Sequence, residues 1–279
     1  MVKEVTQYIG EEKCELCKKT AILKNSHLMP KSLYKIITRT FSPYDSAPVW
    51  ASNSQKSIYF SNAQITKKLL CGICEDRFNK HGEKYVIEKC LKNKYTFELK
   101  KMLDSSIPSI HVNGSSYFSP NDIHKLNSEK FMYFVASIVW RVATTNWSND
   151  DIANLNGSLP DEYNESLRNY LLKKTEFPKN IYITVCIDSD TDPVPIMSLP
   201  SGDIINNMHV SFFIPGIKFN IFFGEKADQA LSAILNKLDI NLIYMYRSFC
   251  SSDEYKQMKN LLGSELTPKG KLAKQSKNV

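Results

Sequence analysis

Two pairs of cysteines, each separated by two residues, carry the clearest chemistry in this sequence. Cys14 and Cys17 form the first pair, and Cys71 and Cys74 form the second. Four thiolates in two such pairs are the ligand set of a structural zinc site with tetrahedral sulfur coordination. The spacing therefore predicts that both pairs come together around one Zn²⁺ ion.

The cysteine count and the start of the chain favour metal binding over disulfides. There are seven cysteines, an odd number, and charged residues interrupt any apolar run near the start where a secretory signal would be needed. Reduced cysteines in a cytosol are therefore expected, with Cys90, Cys186 and Cys250 as isolated thiols. No run approaches the roughly 18 apolar residues of a membrane span, so we expect a cytoplasmic protein without a membrane partner.

Positive charge is concentrated in the part of the chain that holds the cysteine pairs. Residues 1–101 contain 19 lysine and arginine residues against 10 acidic ones, whereas residues 102–279 contain 17 against 19. A basic front part and an acidic remainder fit a phosphate-binding module joined to a domain with another role. The alternative is that lysine is simply the residue that solvates this surface.

The elements that must position the cysteines form a small N-terminal module, assigned to residues 1–110. Residues 14–28 predict a knuckle and a short β-hairpin, and residues 69–91 predict a strand end, the second knuckle and a helix. A helix whose first turn supplies the last two thiolates completes a treble clef, which zinc stabilises because so small a module buries little apolar surface. The insertion between them, residues 31–68, predicts a helix over about 31–38 and then a hairpin.

The rest of the chain predicts an α+β domain with an antiparallel sheet over residues 120–265. The boundary falls in residues 107–127, which are rich in Ser, Pro, Asn and Gly. Helices are predicted at about 128–147, 161–174, 227–238 and 253–262, and strands at 181–187, 208–214, 217–223 and 240–246. Pro215-Gly216 predicts a hairpin between the two middle strands. The basic tail, residues 266–279, is predicted to be disordered.

The segments around the cysteines resemble a known nuclease superfamily. The run Ser26-His27-Leu28-Met29-Pro30-Lys31 follows the first pair, and Leu69-Leu70-Cys71-Gly72-Ile73-Cys74-Glu75-Asp76-Arg77-Phe78 contains the second. Together they resemble the zinc-stapled HNH, or ββα-metal, endonucleases. More closely, they are similar to a bacterial group that has an aromatic-rich insertion and is often encoded near antiviral defence genes. The resemblance covers residues 12–90 and implies a bacterial endonuclease in antiviral defence.

This resemblance implies roles for individual residues. HNH nucleases use a histidine at the hairpin as general base and hold one divalent cation between that region and the helix. His27 falls at the base position, and Glu75 and Asn79 fall at the cation on one face of the helix, with Ser26 as a further ligand. A carboxylate and an amide oxygen suit Mg²⁺ or Mn²⁺. The superfamily usually has Asp, Glu or His in place of Ser26, and Asn or His in place of Glu75.

Two main functions follow from these residues. In the first, the chain hydrolyses nucleic-acid phosphodiesters, with DNA favoured over RNA, and its second domain binds a protein partner or a second copy. The lysines expected to bind backbone phosphates are Lys24, Lys31, Lys35, Lys67, Lys68 and Lys80. In the second, a treble-clef module without catalysis binds nucleic acid or a protein. His27 then ties the hairpin to the helix, and Glu75 is an acid favoured by the helix dipole. A third reading is a purely structural zinc domain within an adaptor.

Overall fold

The N-terminal part of the chain consists of short strands and short helices around the cysteine pairs. It is seen in a computed structural model that describes residues 10–42, 47–204, 206, 208–224, 235 and 240–275. The elements are β1 (Glu12–Lys13), β2 (Thr20–Ala21), β3 (Leu23–His27), α1 (Lys31–Ile36), β4 (Val49–Ser52), β5 (Ser57–Phe60), β6 (Thr66–Cys71), α2 (Gly72–Phe78) and α3 (Lys84–Lys89). π-helical turns follow α1 at Ile37–Phe41 and join α2 to α3 at Asn79–Glu83.

The strand that ends in His27 pairs across the insertion. β3 and β6 are antiparallel, with His27 opposite Thr66 and Ser26 opposite Lys67. The hairpin predicted within residues 14–28 is therefore only partly right. The short β1–β2 pair flanks the first knuckle, but the partner of β3 is β6. Within the insertion, the predicted helix and the predicted hairpin are confirmed as α1 and the β4–β5 pair.

The rest of the described chain contains a seven-stranded sheet and three short strands outside that sheet. Its elements are β7 (Leu91–Asn93), β8 (Thr96–Phe97), α4 (Glu98–Asp104), β9 (Ile110–Val112), β10 (Ser115–Phe118), α5 (Ser128–Thr144), α6 (Asp161–Leu171), β11 (Ile181–Asp188), β12 (Ser201–Asp203), β13 (His209–Ile214), β14 (Ile217–Phe223), β15 (Leu242–Arg247), α7 (Asp253–Asn260), β16 (Thr267–Pro268) and α8 (Gly270–Gln275). The strand order is β12-β13-β14-β11-β15-β10-β9, and all neighbours are antiparallel except the parallel pair β11–β15. Strands β7, β8 and β16 lie outside this sheet. A mixed fold with antiparallel pairing is thus confirmed.

Most of the helices and strands predicted for this part are confirmed. α5 begins after Asn127, whose side chain accepts a hydrogen bond from the Lys130 N–H, and α6 begins after Pro160. β13 and β14 form the predicted hairpin, and Gly216 adopts a φ of 76° at its turn, a conformation that favours glycine. The helix predicted at 253–262 is α7. The one predicted at 227–238 lies outside the described residues, apart from Leu235.

Two segments differ from expectation. Residues 107–127, predicted to be a domain boundary, contain the β9–β10 hairpin, which forms one edge of the seven-stranded sheet. The tail predicted to be disordered is ordered over 267–275, where β16 pairs in parallel with β5 and α8 follows. Residues 276–279 lie outside the described part of the chain. None of the described helices is long and apolar enough to cross a membrane.

α5 is the central helix and contacts both parts of the chain. On one side, Phe134 packs against Phe212 and Phe219 of the sheet. On the other side, Trp140 makes an edge contact with Phe78 of α2. One buried cluster of side chains therefore extends from the cysteine pairs to the sheet. The predicted division near residues 110–120 stays a prediction, and the two sides share their core.

The close contact between the Asn79–Glu83 turn and α5 gives a stability prediction. A Cβ atom added at Gly82 would lie 2.8 Å from the backbone nitrogen of Phe134 and 2.9 Å from its Cα. Gly82→Ala should therefore lower the free energy of unfolding by about 1–3 kcal/mol, the usual cost of overpacking, although the same change in an open helix stabilises by about 1 kcal/mol. Urea denaturation measures this.

Gly263→Ala is the matched control, because a Cβ there meets no atom within 4 Å. We expect that variant to be neutral or slightly stabilised. Equal unfolding free energies for the two variants would contradict the close packing of the turn against α5.

Candidate metal centre and histidine site

Four thiols converge at the point where β6 enters α2. The sulfur atoms of Cys14, Cys17, Cys71 and Cys74 all lie within 4.8 Å of one another. The Cys17 and Cys71 sulfurs are 3.9 Å apart, and a tetrahedral ion with zinc–sulfur bonds of about 2.3 Å holds its sulfurs about 3.8 Å apart. The predicted meeting of the two pairs is confirmed, and the site fits a metal such as zinc.

Backbone hydrogen bonds shape the first knuckle around this cluster. The Cys14 N–H donates to the Lys19 carbonyl at 2.9 Å, and the Lys18 N–H donates to the Cys14 carbonyl at 2.8 Å. Lys18 adopts a φ of 61°, a conformation that is costly for a side chain other than glycine. The Cys71 N–H points at the Cys14 sulfur at 3.4 Å, as expected for a donor that stabilises a thiolate. The knuckle thus holds its sulfurs inward.

Charge within the cluster also suits a metal. A hydrogen bond from Cys74 lowers the pKa of Cys14 to about 4, and the same contact raises the pKa of Cys74. The cluster therefore favours thiolate at Cys14 and disfavours it at Cys74. A dication would compensate negative charge on the sulfurs. The remaining cysteines are reduced, with Cys90 and Cys186 buried and Cys250 exposed, as predicted.

His27 lies at the end of β3, half-buried, with polar groups around its ring. Burial lowers the pKa of His27, the side chain of Gln64 opposes that shift, and the charge of Lys31 reinforces it. Glu75 is near enough for its negative charge to raise the same pKa, and Arg141 acts in the opposite direction. Since burial dominates, the imidazole is mostly neutral at pH 7 and can accept a proton.

Glu75 lies in the first turn of α2, within electrostatic range of this histidine. Its Oε1 atom is buried and has no hydrogen-bond partner among the described residues. An unpartnered buried carboxylate oxygen is costly in a protein interior, and a cation is one group that would compensate it. Asn79 follows one turn later, exposed, at the start of the π-helical turn, and the same helix face carries both residues.

Ser26 has a structural partner. It is fully buried, and its hydroxyl oxygen accepts a hydrogen bond from the Leu70 N–H at 3.2 Å, next to the register shift after Lys24. The hydroxyl therefore completes the β3–β6 pairing where the strand bulges. Nothing in these contacts brings Ser26 to the Glu75 carboxylate, so its predicted role as a cation ligand gains no support.

The six lysines expected to bind phosphate fall into two groups. Four of them are exposed and make no ion pair among the described residues: Lys24, Lys31, Lys35 and Lys80. Lys68 is exposed but lies 3.7 Å from the Glu12 carboxylate. Lys67 is half-buried, and its ammonium donates to the Thr145 hydroxyl at 2.8 Å and the Asn146 carbonyl at 2.6 Å. Lys67 thus helps to pack the β3–β6 strand pair against the C-terminal end of α5.

Comparison with protein families, with curated proteins and with solved structures gives no match to this chain. A fold by itself would not fix a function in any case. Function is therefore inferred from the residues of the site.

Arg141 is a residue at this site that sequence reasoning missed, in addition to Gln64. It lies on α5, is 1% exposed, and donates to the His27 carbonyl at 2.6 Å and to the Glu83 carboxylate. The signal was a single charged residue in the apolar stripe of the helix, since a buried arginine is nearly always paired. That signal predicts a partner for Arg141, but the identity of the partner depends on how α5 packs against the β3–β6 strand pair and the turn after α2.

Proposed function

We propose that this chain is a divalent-metal-dependent endonuclease of the HNH type, whose zinc-bound strands and helix form a ββα-metal, treble-clef module. One observation carries the proposal. A mostly neutral, half-buried histidine on β3 lies within electrostatic range of a carboxylate on α2, one oxygen of which is buried without a hydrogen-bond partner among the described residues. The order of β3, β6 and α2, with the thiols at the entry to the helix, agrees with what the resemblance implies.

Hydrolysis of a phosphodiester at this site needs a base and compensation of negative charge. His27 accepts a proton from water while the water oxygen bonds to phosphorus, and the bond from phosphorus to one sugar oxygen breaks. Solvent protonates the oxygen that leaves. Glu75 and Asn79 would hold a Mg²⁺ or Mn²⁺ ion, which when bound stabilises charge on the phosphate and the leaving oxygen. The exposed lysines neutralise neighbouring phosphates without regard to sequence, and DNA is the favoured substrate.

Replacing His27 by alanine tests the proposal directly. Protein that retains its zinc and is free of Mg²⁺ is given Mg²⁺ or Mn²⁺ with supercoiled DNA, linear DNA or RNA. Wild type should cut only with the added cation, and His27→Ala should cut about 10²–10⁴-fold more slowly because the general base is lost. Both proteins should contain one zinc per chain and unfold at similar temperatures.

His124→Ala is the matched control, because His124 is exposed and lies outside this site. It should cut at the wild-type rate. Cation-dependent cutting that persists in His27→Ala would overturn the role of His27. Absence of cutting by zinc-loaded wild type on all three substrates would overturn the nuclease.

A module that binds nucleic acid or a protein partner without cutting it is the second candidate, and two observations favour it. The Ser26 hydroxyl accepts a hydrogen bond from the Leu70 N–H of β6, and Glu83, on the same helical stretch as Glu75, is paired with Arg141. In this case wild type should bind DNA in fluorescence anisotropy with an affinity that falls steeply as salt rises. His27→Ala should then bind as wild type does.

A further inference from the structure

A buried guanidinium links the central helix to the backbone of the candidate base. Arg141 donates to the carbonyl of His27, to the carboxylate of Glu83 and to the carbonyl of Ser137 on its own helix, the last at 3.2 Å. Its guanidinium lies over the Phe78 ring, 5.1 Å from the centroid. Because the planar fork is held on several sides, it fixes the peptide group that carries His27 relative to α2 and α3.

A second contact joins β6, the strand that pairs with β3, to the C-terminal end of α5. Lys67, opposite Ser26 in the β3–β6 pair, donates to Thr145 and Asn146 just beyond the helix. Both strands are therefore held beside His27 by the C-terminal end of one helix. The other end of the β3–β6 pair, where Leu23 lies opposite Cys71, is held by the cysteine cluster.

α5 is in turn fixed by the seven-stranded sheet. The Tyr244 hydroxyl on β15 is 2.9 Å from the Ser128 hydroxyl at the start of the helix, and Phe131 packs on Tyr244 and Phe219. A movement of the sheet that carries α5 with it would therefore move the groups that hold His27. Sheet, α5 and hairpin form one continuous path of packed side chains.

Packing alone does not account for an arginine at this position. Burying a guanidinium and a carboxylate carries a desolvation cost, and an apolar pair of similar size is often equally stable or more so. The residues adjacent to Arg141 in the sequence of α5, Trp140 and Val142, are apolar, and a methionine is an apolar side chain of similar length. What an apolar side chain cannot supply is a directional contact to the His27 carbonyl.

We propose that the α+β part of the chain sets the geometry of the candidate site through α5, with Arg141 as the residue that positions His27. This inference rests on the proposed function. It assigns residues 120–265 a regulatory task, since a partner that displaces the sheet would change the rate of cutting. Arg141 touches no substrate and acts only through the histidine.

The experiment compares Arg141→Met, Arg141→Lys and the charge-balanced double variant Arg141→Met/Glu83→Gln with wild type. We expect kcat to fall about 10- to 100-fold with KM changed less than twofold, since a misplaced group affects the chemical step. Arg141→Lys should recover part of that loss. The double variant avoids an unpaired buried carboxylate, so it should stay folded even if Arg141→Met does not.

Arg168→Met is the matched control, because Arg168 also bridges to the N-terminal part, donating to the Leu16 carbonyl, and its other hydrogen bonds go to Glu165 on its own helix. The ring resonances of His27 in NMR spectra should shift in the Arg141 variants and stay unchanged in Arg168→Met. Unchanged His27 resonances in a folded Arg141 variant would overturn the proposal, and so would an equal loss of kcat in Arg168→Met. The NMR comparison needs no cutting, so it separates this inference from failure of the nuclease.

Discussion

Replacing Cys71 by serine is expected to remove the bound zinc and to lower the free energy of unfolding by roughly 4 kcal/mol, or about 10 °C in Tm for a chain of this size. Cys71 lies at the junction of β6 and α2, and its backbone N–H also points at the Cys14 sulfur. Loss of this one ligand therefore weakens metal binding and removes an anchor from β6, the strand that pairs with β3. Elemental analysis of zinc and thermal unfolding measure the two effects.

Cys250→Ser is the control for this change, because Cys250 is an exposed free thiol far in sequence from either pair. It should keep one zinc per chain and the wild-type Tm. A strong chelator should lower the Tm of wild type and of Cys250→Ser alike, with little effect on Cys71→Ser. Wild-type protein purified with no zinc, and a Tm unmoved by Cys71→Ser, would contradict the metal centre.

Local signals in the sequence were enough to predict the elements that have a strong residue pattern. α5 shows an apolar stripe at helical spacing after the capping residue Asn127, and the β13–β14 hairpin shows two apolar runs around Pro215-Gly216. The cysteine cluster was equally predictable, because two CxxC pairs with one ligand chemistry have few other uses. In the helix and the hairpin, residues near one another in the chain specify the structure, whereas the two cysteine pairs, 54 residues apart at Cys17 and Cys71, are connected by their shared ligand chemistry.

Other features could not be predicted from the sequence, because they depend on contacts between segments that are distant in the chain. β9 and β10 are short, β9 is exposed and β10 begins with two serines, so composition favoured a boundary where the sheet has an edge. The tail is charged and short, and its order comes from pairing with β5, which no local pattern reports. The partners of Arg141 were hidden for the same reason, since they lie on β3 and on the turn after α2.

Replacing Glu75 by glutamine is expected to separate activity from stability. If Glu75 holds a cation, Glu75→Gln should cut about 10²–10³-fold more slowly than wild type and need more Mg²⁺ for half of its own maximal rate, because a neutral amide binds a hard cation less well than a carboxylate. Its free energy of unfolding should stay the same or rise. One oxygen of the wild-type carboxylate is buried without a hydrogen-bond partner among the described residues, so the neutral amide gives up no protein hydrogen bond at that atom.

Asp76→Asn supplies the matched control, because Asp76 is exposed on the same helical turn and its replacement removes the same charge. If Glu75 were only an acid that favours the start of α2, the two variants should behave alike. Each would then lose about 0.3–1 kcal/mol of stability through the helix dipole and cut at the wild-type rate. A stable Glu75→Gln with lost activity, beside an active Asp76→Asn, assigns the buried carboxylate to the cation. Loss of stability without loss of activity assigns it to the helix and would leave the proposed nuclease without its principal cation ligand.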